Sequence, residues 1–140
     1  MKIWVHLLTS SILALAFYPV FNWKVLFILV GGVLIDFDHY LWYIYKFRKY
    51  SLRASYKFYS IEAAKTDFEI VKGILLLFHT IEFLLIAIIF SFYFDFALVF
   101  TIGLSFHLIL DIIHRYSTAE TFITNPSIIS WILKNKIQKH

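Results

Sequence analysis

The stretch Gly31-Gly32-Val33-Leu34-Ile35-Asp36-Phe37-Asp38-His39 sets two carboxylates and an imidazole inside a long apolar run. Ionisable groups are expensive in hydrocarbon and persist there when they are paired, bound to metal or turned toward a wet cavity. Any fold for this chain must therefore supply partners for Asp36, Asp38 and His39. The surrounding composition excludes an ordinary soluble domain. Hydrophobic residues make up 61% of the chain and aromatic residues 21%, against about 45–50% apolar residues in soluble domains. Mean hydropathy is +0.76, and the apolar residues fall in long runs, so the 140 residues read as a single membrane-embedded unit.

Five segments emerge along the chain. The first helix spans about residues 3–18, with Pro19 as its stop signal. It is retained rather than cleaved, because no small-residue cleavage pattern follows it. Asn22 is placed to cap a second helix over about 23–45, which carries the opening motif and ends in Trp42, Tyr43 and Tyr45 before a basic flank. Residues 46–69 read as a polar, tyrosine-rich loop with a short helical piece near 60–65. Thr66-Asp67-Phe68-Glu69 then matches a capping box ahead of a third apolar helix over 70–94. Asp95 is placed to cap a fourth, over 96–114. Asn125-Pro126 opens a last helix over 126–139 that mixes apolar residues with lysines, as an interfacial amphipathic helix does. The fold class is thus all-α: four transmembrane helices and a C-terminal amphipathic helix.

Charge orients this arrangement. Of 13 Lys and Arg residues, twelve lie on one side of a four-pass topology, and Lys24 stands alone opposite. The positive-inside rule places both termini and the 46–69 loop in the cytoplasm, which makes this a multi-pass inner-membrane protein. The net charge of +4 therefore reads as orientation and contact with anionic headgroups, not as nucleic-acid binding. With no cysteines, disulfides and thiolate ligands are excluded, and any metal must take His, Asp, Glu or carbonyl oxygen.

Topology then gives depth. Asp36, Asp38 and His39 on helix two, His79 and Glu82 on helix three, His107, Asp111 and His114 on helix four, and His6 on helix one all fall in the cytoplasmic half. At 100° per residue, His107, Asp111 and His114 share a face, as do His79 and Glu82, and Asp36 and His39. Asp38 lies well round from Asp36 unless the helix is distorted, and the glycine pair before them is a site for distortion or close packing. Singly, each residue has a plainer reading. His6 serves as readily as a packing residue, Glu82 as an interhelical hydrogen-bonding group and His114 as a helix end. Their gathering in one layer points to a metal site. His with carboxylate suits zinc, and also manganese or iron. The number of candidate ligands allows one ion or two.

At these residues the chain resembles the YdjM-like family of inner-membrane-associated metal-dependent hydrolases, some of which are described as LexA-binding. Gly31 to His39 looks like the family's glycine-led Asp-x-Asp-His motif. His79-Thr80 is similar to its Thr-His-Ser motif, and Gly103 to Asp111 to its Gly-x-x-x-His-x-x-x-Asp. His6 falls where members often carry a histidine. Ile35 stands where a proline often precedes the first Asp, and Leu76-Leu77-Phe78 where Arg-Gly is usual.

Together these readings lead to the expectation of a metal-dependent hydrolase acting on a phosphoester or ester bond in a lipid or amphiphile at the cytoplasmic leaflet. Asp36, His39, His79, His107 and Asp111 would hold metal, with His6 and His114 as further ligands. Glu82 or Asp38 would act as general base or orient a ligand. Two other classes remain open: a metal-ion or proton transporter, and a non-catalytic subunit of a membrane complex whose polar site is structural. A transporter calls for polar residues through both halves of the membrane, and the outer half has none.

Overall fold

The structure, a computed structural model, describes residues 3–59, 75–118 and 126–137, and these are helical with no strand among them. Two stretches are long and apolar enough to cross a membrane, Ile3–Phe47 and Asp95–His114. The first is not one rod. Helix α1 (Ile3–Phe21) continues through Pro19, whose missing N–H costs one ladder bond, and ends two residues later. The chain reverses at Asn22, which takes a left-handed conformation (φ 50°). Expected as a helix cap, Asn22 serves instead as the turn residue; its short amide tolerates this region better than most side chains. A 3-10 turn over Asn22–Val25 leads into α2 (Leu26–Val33), which returns along α1.

The helix expected over 23–45 is broken. Between α2 and α3 (Phe37–Phe47) lies a 3-10 turn, Leu34–Asp36, entered at Val33 with φ −133° and ψ −50°. The break follows the glycine pair and sits beside the tightest helix crossing in the fold, between α2 and α6 (Asp95–Thr118). A Cβ on Gly31 would meet the Phe100 carbonyl and lie 2.8 Å from Leu104 N; one on Gly103 would meet the Ile28 backbone, and one on Gly32 would meet Ser10 Oγ. Glycine on both helices thus lets the two backbones touch. Ile28, Val99 and Leu104, all fully buried, pack around the crossing.

A clamp at the far end of this pair sets its register. Lys24 Nζ lies 2.6 Å from Asp95 Oδ2. Twelve residues separate Lys24 from Asp36, and twelve separate Asp95 from His107. At 1.5 Å per residue both arms reach about 18 Å from the clamp, so Asp36 and His107 arrive at one level. Asp95, expected as a helix cap, is thus the lysine's ion-pair partner.

The expected 46–69 loop holds a helix. Arg48 closes α3 in the left-handed region (φ 56°). Ser51 Oγ then accepts from Ala54 N (3.2 Å) and caps α4 (Leu52–Lys57). Phe58, just beyond α4, packs with Tyr43 and Leu76, and with Trp42 and Phe47 around them. Aromatic packing therefore folds this segment back onto α3. The helical piece near 60–65, the Thr66 capping box and the first residues of the 70–94 helix lie outside the described residues.

What is described of that third apolar run is not a continuous helix. Leu76 is extended, Leu77–His79 form a 3-10 turn, and Thr80 caps α5 (Ile81–Ser91), its Oγ1 accepting from Phe83 N. Eleven residues of α5 rise about 16 Å, roughly half of a hydrocarbon core of about 30 Å. A tight turn joins α5 to α6. The final helix, α7 (Ile128–Ile137), falls within the expected 126–139.

The crossing yields a test. Gly31→Ala and Gly103→Ala each push a methyl into opposing backbone, which overpacking data place at a cost of about 1–3 kcal/mol. Thermal unfolding in detergent micelles should show both variants melting below the wild type, whereas Leu15→Ala on the exposed face of α1 should not.

Candidate metal centre

The helix crossing, the 3-10 turn and the cap of α5 deliver four side chains to one point. Asp36 leaves the end of the 3-10 turn, His79 precedes α5, and His107 and Asp111 stand one turn apart on α6. His79 Nε2 and His107 Nε2 lie 3.1 Å apart. Asp36 Oδ1 is 3.5 Å from each of them. Asp111 Oδ2 is 3.5 Å from His107 Nε2 and 3.8 Å from His79 Nε2. Two atoms that ligate one tetrahedral zinc ion at about 2.0–2.1 Å stand roughly 3.3–3.4 Å apart. The five separations describe five edges of such a shell.

The hydrogen bonds behind the rings fix their tautomers. His107 Nδ1–H donates to the Gly32 carbonyl (2.9 Å). His79 Nδ1–H donates to Asp38 Oδ2 (3.0 Å), which also accepts from Phe78 N (3.1 Å). With Nδ1 donating in both rings, any Nε2 lone pair on one faces the other in a buried place, where His107 is wholly inaccessible. Facing lone pairs repel at 3.1 Å unless a cation or proton lies between them. Carboxylate–histidine and carbonyl–histidine pairs of this kind orient metal ligands in proteins.

The expected residues divide accordingly. Asp36, His79, His107 and Asp111 form the shell. His6 adjoins it, stacked on His107 with ring centroids 3.8 Å apart and planes 19° apart, its Nε2 3.2 Å from Asp111 Oδ1. Among the described residues, the groups that could hold a metal ion are His6, His107 and Asp111; Asp36, His79 and His107; and Asp38, His39 and His79. Asp38, expected as a base or an orienting group, binds His79 through one oxygen and lies 3.0 Å from His39 Nδ1 through the other. His39 is the most accessible member, its side chain 28% exposed, and lies on the side reached from α4.

Glu82 and His114 are in none of these groups. Glu82, expected as a general base, caps α7 instead. Its oxygens accept from Ser127 Oγ (2.6 Å), Ile128 N (3.0 Å) and Ile129 N (3.3 Å), a carboxylate on the positive end of a helix. The neighbouring Ile81 N donates to the Pro126 carbonyl (2.9 Å). Helical spacing pairs Glu82 with His79, but the backbone between them is not one helix: His79 ends a 3-10 turn and extended Thr80 separates it from α5.

Three participants carry no chemical motif in the sequence. The Gly32 carbonyl is backbone. Ser10, fully buried, lies one turn from His6, and that i, i+4 spacing is the only signal for it. Tyr59 meets His39 edge-on, with centroids 4.9 Å apart; its buried hydroxyl makes no hydrogen bond to a described residue. Burial, with the Asp38 charge adding, pushes the Tyr59 phenol up, so it remains a donor at neutral pH.

Comparison with protein-family models, curated proteins and solved structures found no match.

Two outcomes are expected. Asp38→Ala removes the acceptor behind His79 and should weaken divalent-metal binding about 10–100-fold, measured by competition with a chelator in detergent. Glu82→Ala should speed amide exchange at Ile128 and Ile129 and leave metal affinity unchanged. Loss of metal with α7 still protected would instead return Glu82 to the site.

Proposed function

We propose that this chain is a membrane-embedded, metal-dependent hydrolase that cleaves a phosphoester or ester bond in a lipid or amphiphile at the cytoplasmic leaflet. The observation that carries the reading is the clustering of Asp36, His79, His107 and Asp111, with the two Nε2 atoms 3.1 Å apart and carboxylate oxygens 3.5–3.8 Å from them. Zinc suits this donor set best, and manganese or iron also fit. The resemblance to the YdjM-like hydrolases rests on the same residues.

The membrane arrangement belongs to the proposal too: four passes, with both termini and the basic 46–69 segment in the cytoplasm of an inner membrane. The Lys24–Asp95 clamp then marks the outer face, and the shell lies about 18 Å below it, nearer the cytoplasmic surface. Irregular backbone at membrane depth is tolerated where it is buried in protein or lines a wet cavity. Both interruptions, Leu34–Asp36 and Leu76–Thr80, flank the shell. The exposed Ile129, Ile132 and Leu133 of α7 lie against the interface, held there by Glu82.

Asp36, His79, His107 and Asp111 would hold a divalent ion, which would supply Lewis acidity and activate water for hydrolysis. Asp38 keeps His79 in the tautomer that presents Nε2. Asp38 Oδ1 lies 3.0 Å from His39 Nδ1, and this pair would relay a proton between the back of the site and its accessible side. Tyr59 offers its O–H beside that path. Between the shell and the Lys24–Asp95 clamp the described residues of α2 and α6 include no Asp, Glu, His, Lys or Arg, which favours hydrolysis over transport.

Elemental analysis of protein purified under metal-replete conditions, paired with a labelled phospholipid and phosphoester panel, tests this. The wild type should carry a divalent transition metal and cleave at least one substrate. Asp36→Asn/His107→Ala should lose both. A wild type free of metal would remove the mechanism, and bound metal without cleavage would favour a structural site.

A further inference from the structure

Beside the shell lies a second group of polar atoms that the single-ion arrangement leaves unused. His6 is 1% exposed and Ser10 is fully buried, yet neither His6 nitrogen nor Ser10 Oγ makes an aligned hydrogen bond to any described residue. The neighbours on the same helix behave differently. Thr9 and Ser11 donate to carbonyls four residues back, at 2.8 and 2.7 Å; Ser10 does not. A buried polar group without a partner costs about 1–3 kcal/mol, and more where no water can reach it. Of these atoms only His6 Nε2 has a carboxylate oxygen near it, Asp111 Oδ1 at 3.2 Å, while His6 Nδ1 and Ser10 Oγ are left without a partner among the described residues.

The arrangement of the rings says what fits it. His6 and His107 are stacked nearly parallel at 3.8 Å, and both bring Nε2 to the same carboxylate. His6 lies 3.2 Å from Asp111 Oδ1 and His107 3.5 Å from Asp111 Oδ2. Parallel imidazoles, each aimed at a different oxygen of one carboxylate, present two ligand positions separated by about the stacking distance. Paired-metal sites have ions about 3.5–4 Å apart, so the spacing of the rings is the spacing of such a pair.

Resting on the metal-centre reading above, we propose a second divalent-cation site, held by His6 Nε2 and Asp111 Oδ1, with Asp111 bridging it to the ion of the Asp36–His79–His107 shell. Two protein ligands against four make this the weaker site, so it fills second. A pair of ions at this spacing matches two oxygens of one phosphoryl group, which narrows the substrate class to phosphoesters.

Titrating the metal-free protein in detergent with Mn2+, and following both bound stoichiometry and electron paramagnetic resonance, separates one site from two. Two ions per chain should bind in sequence, the second giving an exchange-coupled signal. His6→Phe keeps a ring stacked on His107 and removes the nitrogens; it should bind one ion with an isolated signal. Saturation of the wild type at one ion, with His6→Phe unchanged, would overturn the second site and leave the first intact. Two uncoupled ions would also overturn it. No bound ion in the wild type would sink the shell and the second site together. Should His6→Phe fail to fold, the stoichiometry and coupling of the wild type alone still distinguish a paired site from a single one.

Discussion

The contact on which the structure depends is the crossing of α2 and α6 at Gly31, Gly32 and Gly103. Without side chains at these positions, backbone meets backbone, and the carbonyl of Gly32 comes within 2.9 Å of His107 Nδ1. That single hydrogen bond sets a tautomer, and the tautomer turns the Nε2 lone pair toward Asp36 and His79. A larger residue at Gly31 or Gly103 would separate α2 from α6 and lengthen this bond, and one at Gly32 would press on Ser10 of α1. Packing and site chemistry are thus one constraint here. The Lys24–Asp95 pair adds register but little energy, since it is partly exposed and such pairs contribute about 0–1 kcal/mol.

A second dependence runs through interrupted backbone. Regular helices would separate Asp36 from Asp38 by about 200° and carry His79 and Glu82 on one face. The 3-10 turn at Leu34–Asp36 changes the first relation, so that Asp36 joins the shell while Asp38 reaches behind His79. The extended Leu76 and Thr80 change the second, freeing His79 to face inward while Glu82 caps α7. The second break costs helix hydrogen bonds and is partly offset by side chains: Asp38 accepts from Phe78 N, and Thr80 Oγ1 from Phe83 N.

These breaks explain which features are legible in the sequence. Helix type and the shared level of Asp36, His107 and Asp111 follow from hydropathy and residue counting along α2 and α6, because those depend mainly on rise per residue. The His107–Asp111 pair is readable because α6 is unbroken. Glu82 is misplaced by sequence reasoning because its pairing with His79 assumes a helix that begins only at Ile81. The α4 segment is hidden because aromatic packing against Tyr43 and Leu76, not periodicity, holds it. Asn22 and Asp95 stand out in the sequence as caps, since sequence does not distinguish a cap from a left-handed turn or an ion-pair partner. Ser10 and the Gly32 carbonyl bear on the site only through a tertiary contact.

The balance of charge within the cluster bears on why these groups persist where they are. Asp36 and Asp38 have histidines as their partners, and an imidazole that is neutral offsets no charge. Protonating the rings would offset it, yet a proton on His79 or His107 Nε2 fills the gap between them with a single charge. A dication in the same gap neutralises two carboxylates at once and satisfies both lone pairs, so it relieves more of the burial penalty with less rearrangement. Asp38 then remains as the carboxylate outside the shell, nearest His39 and the accessible side. Its charge is the one best placed to receive a proton and release it to water. On the proposed reading the inner carboxylates would hold the ion, and the outer one would serve proton movement.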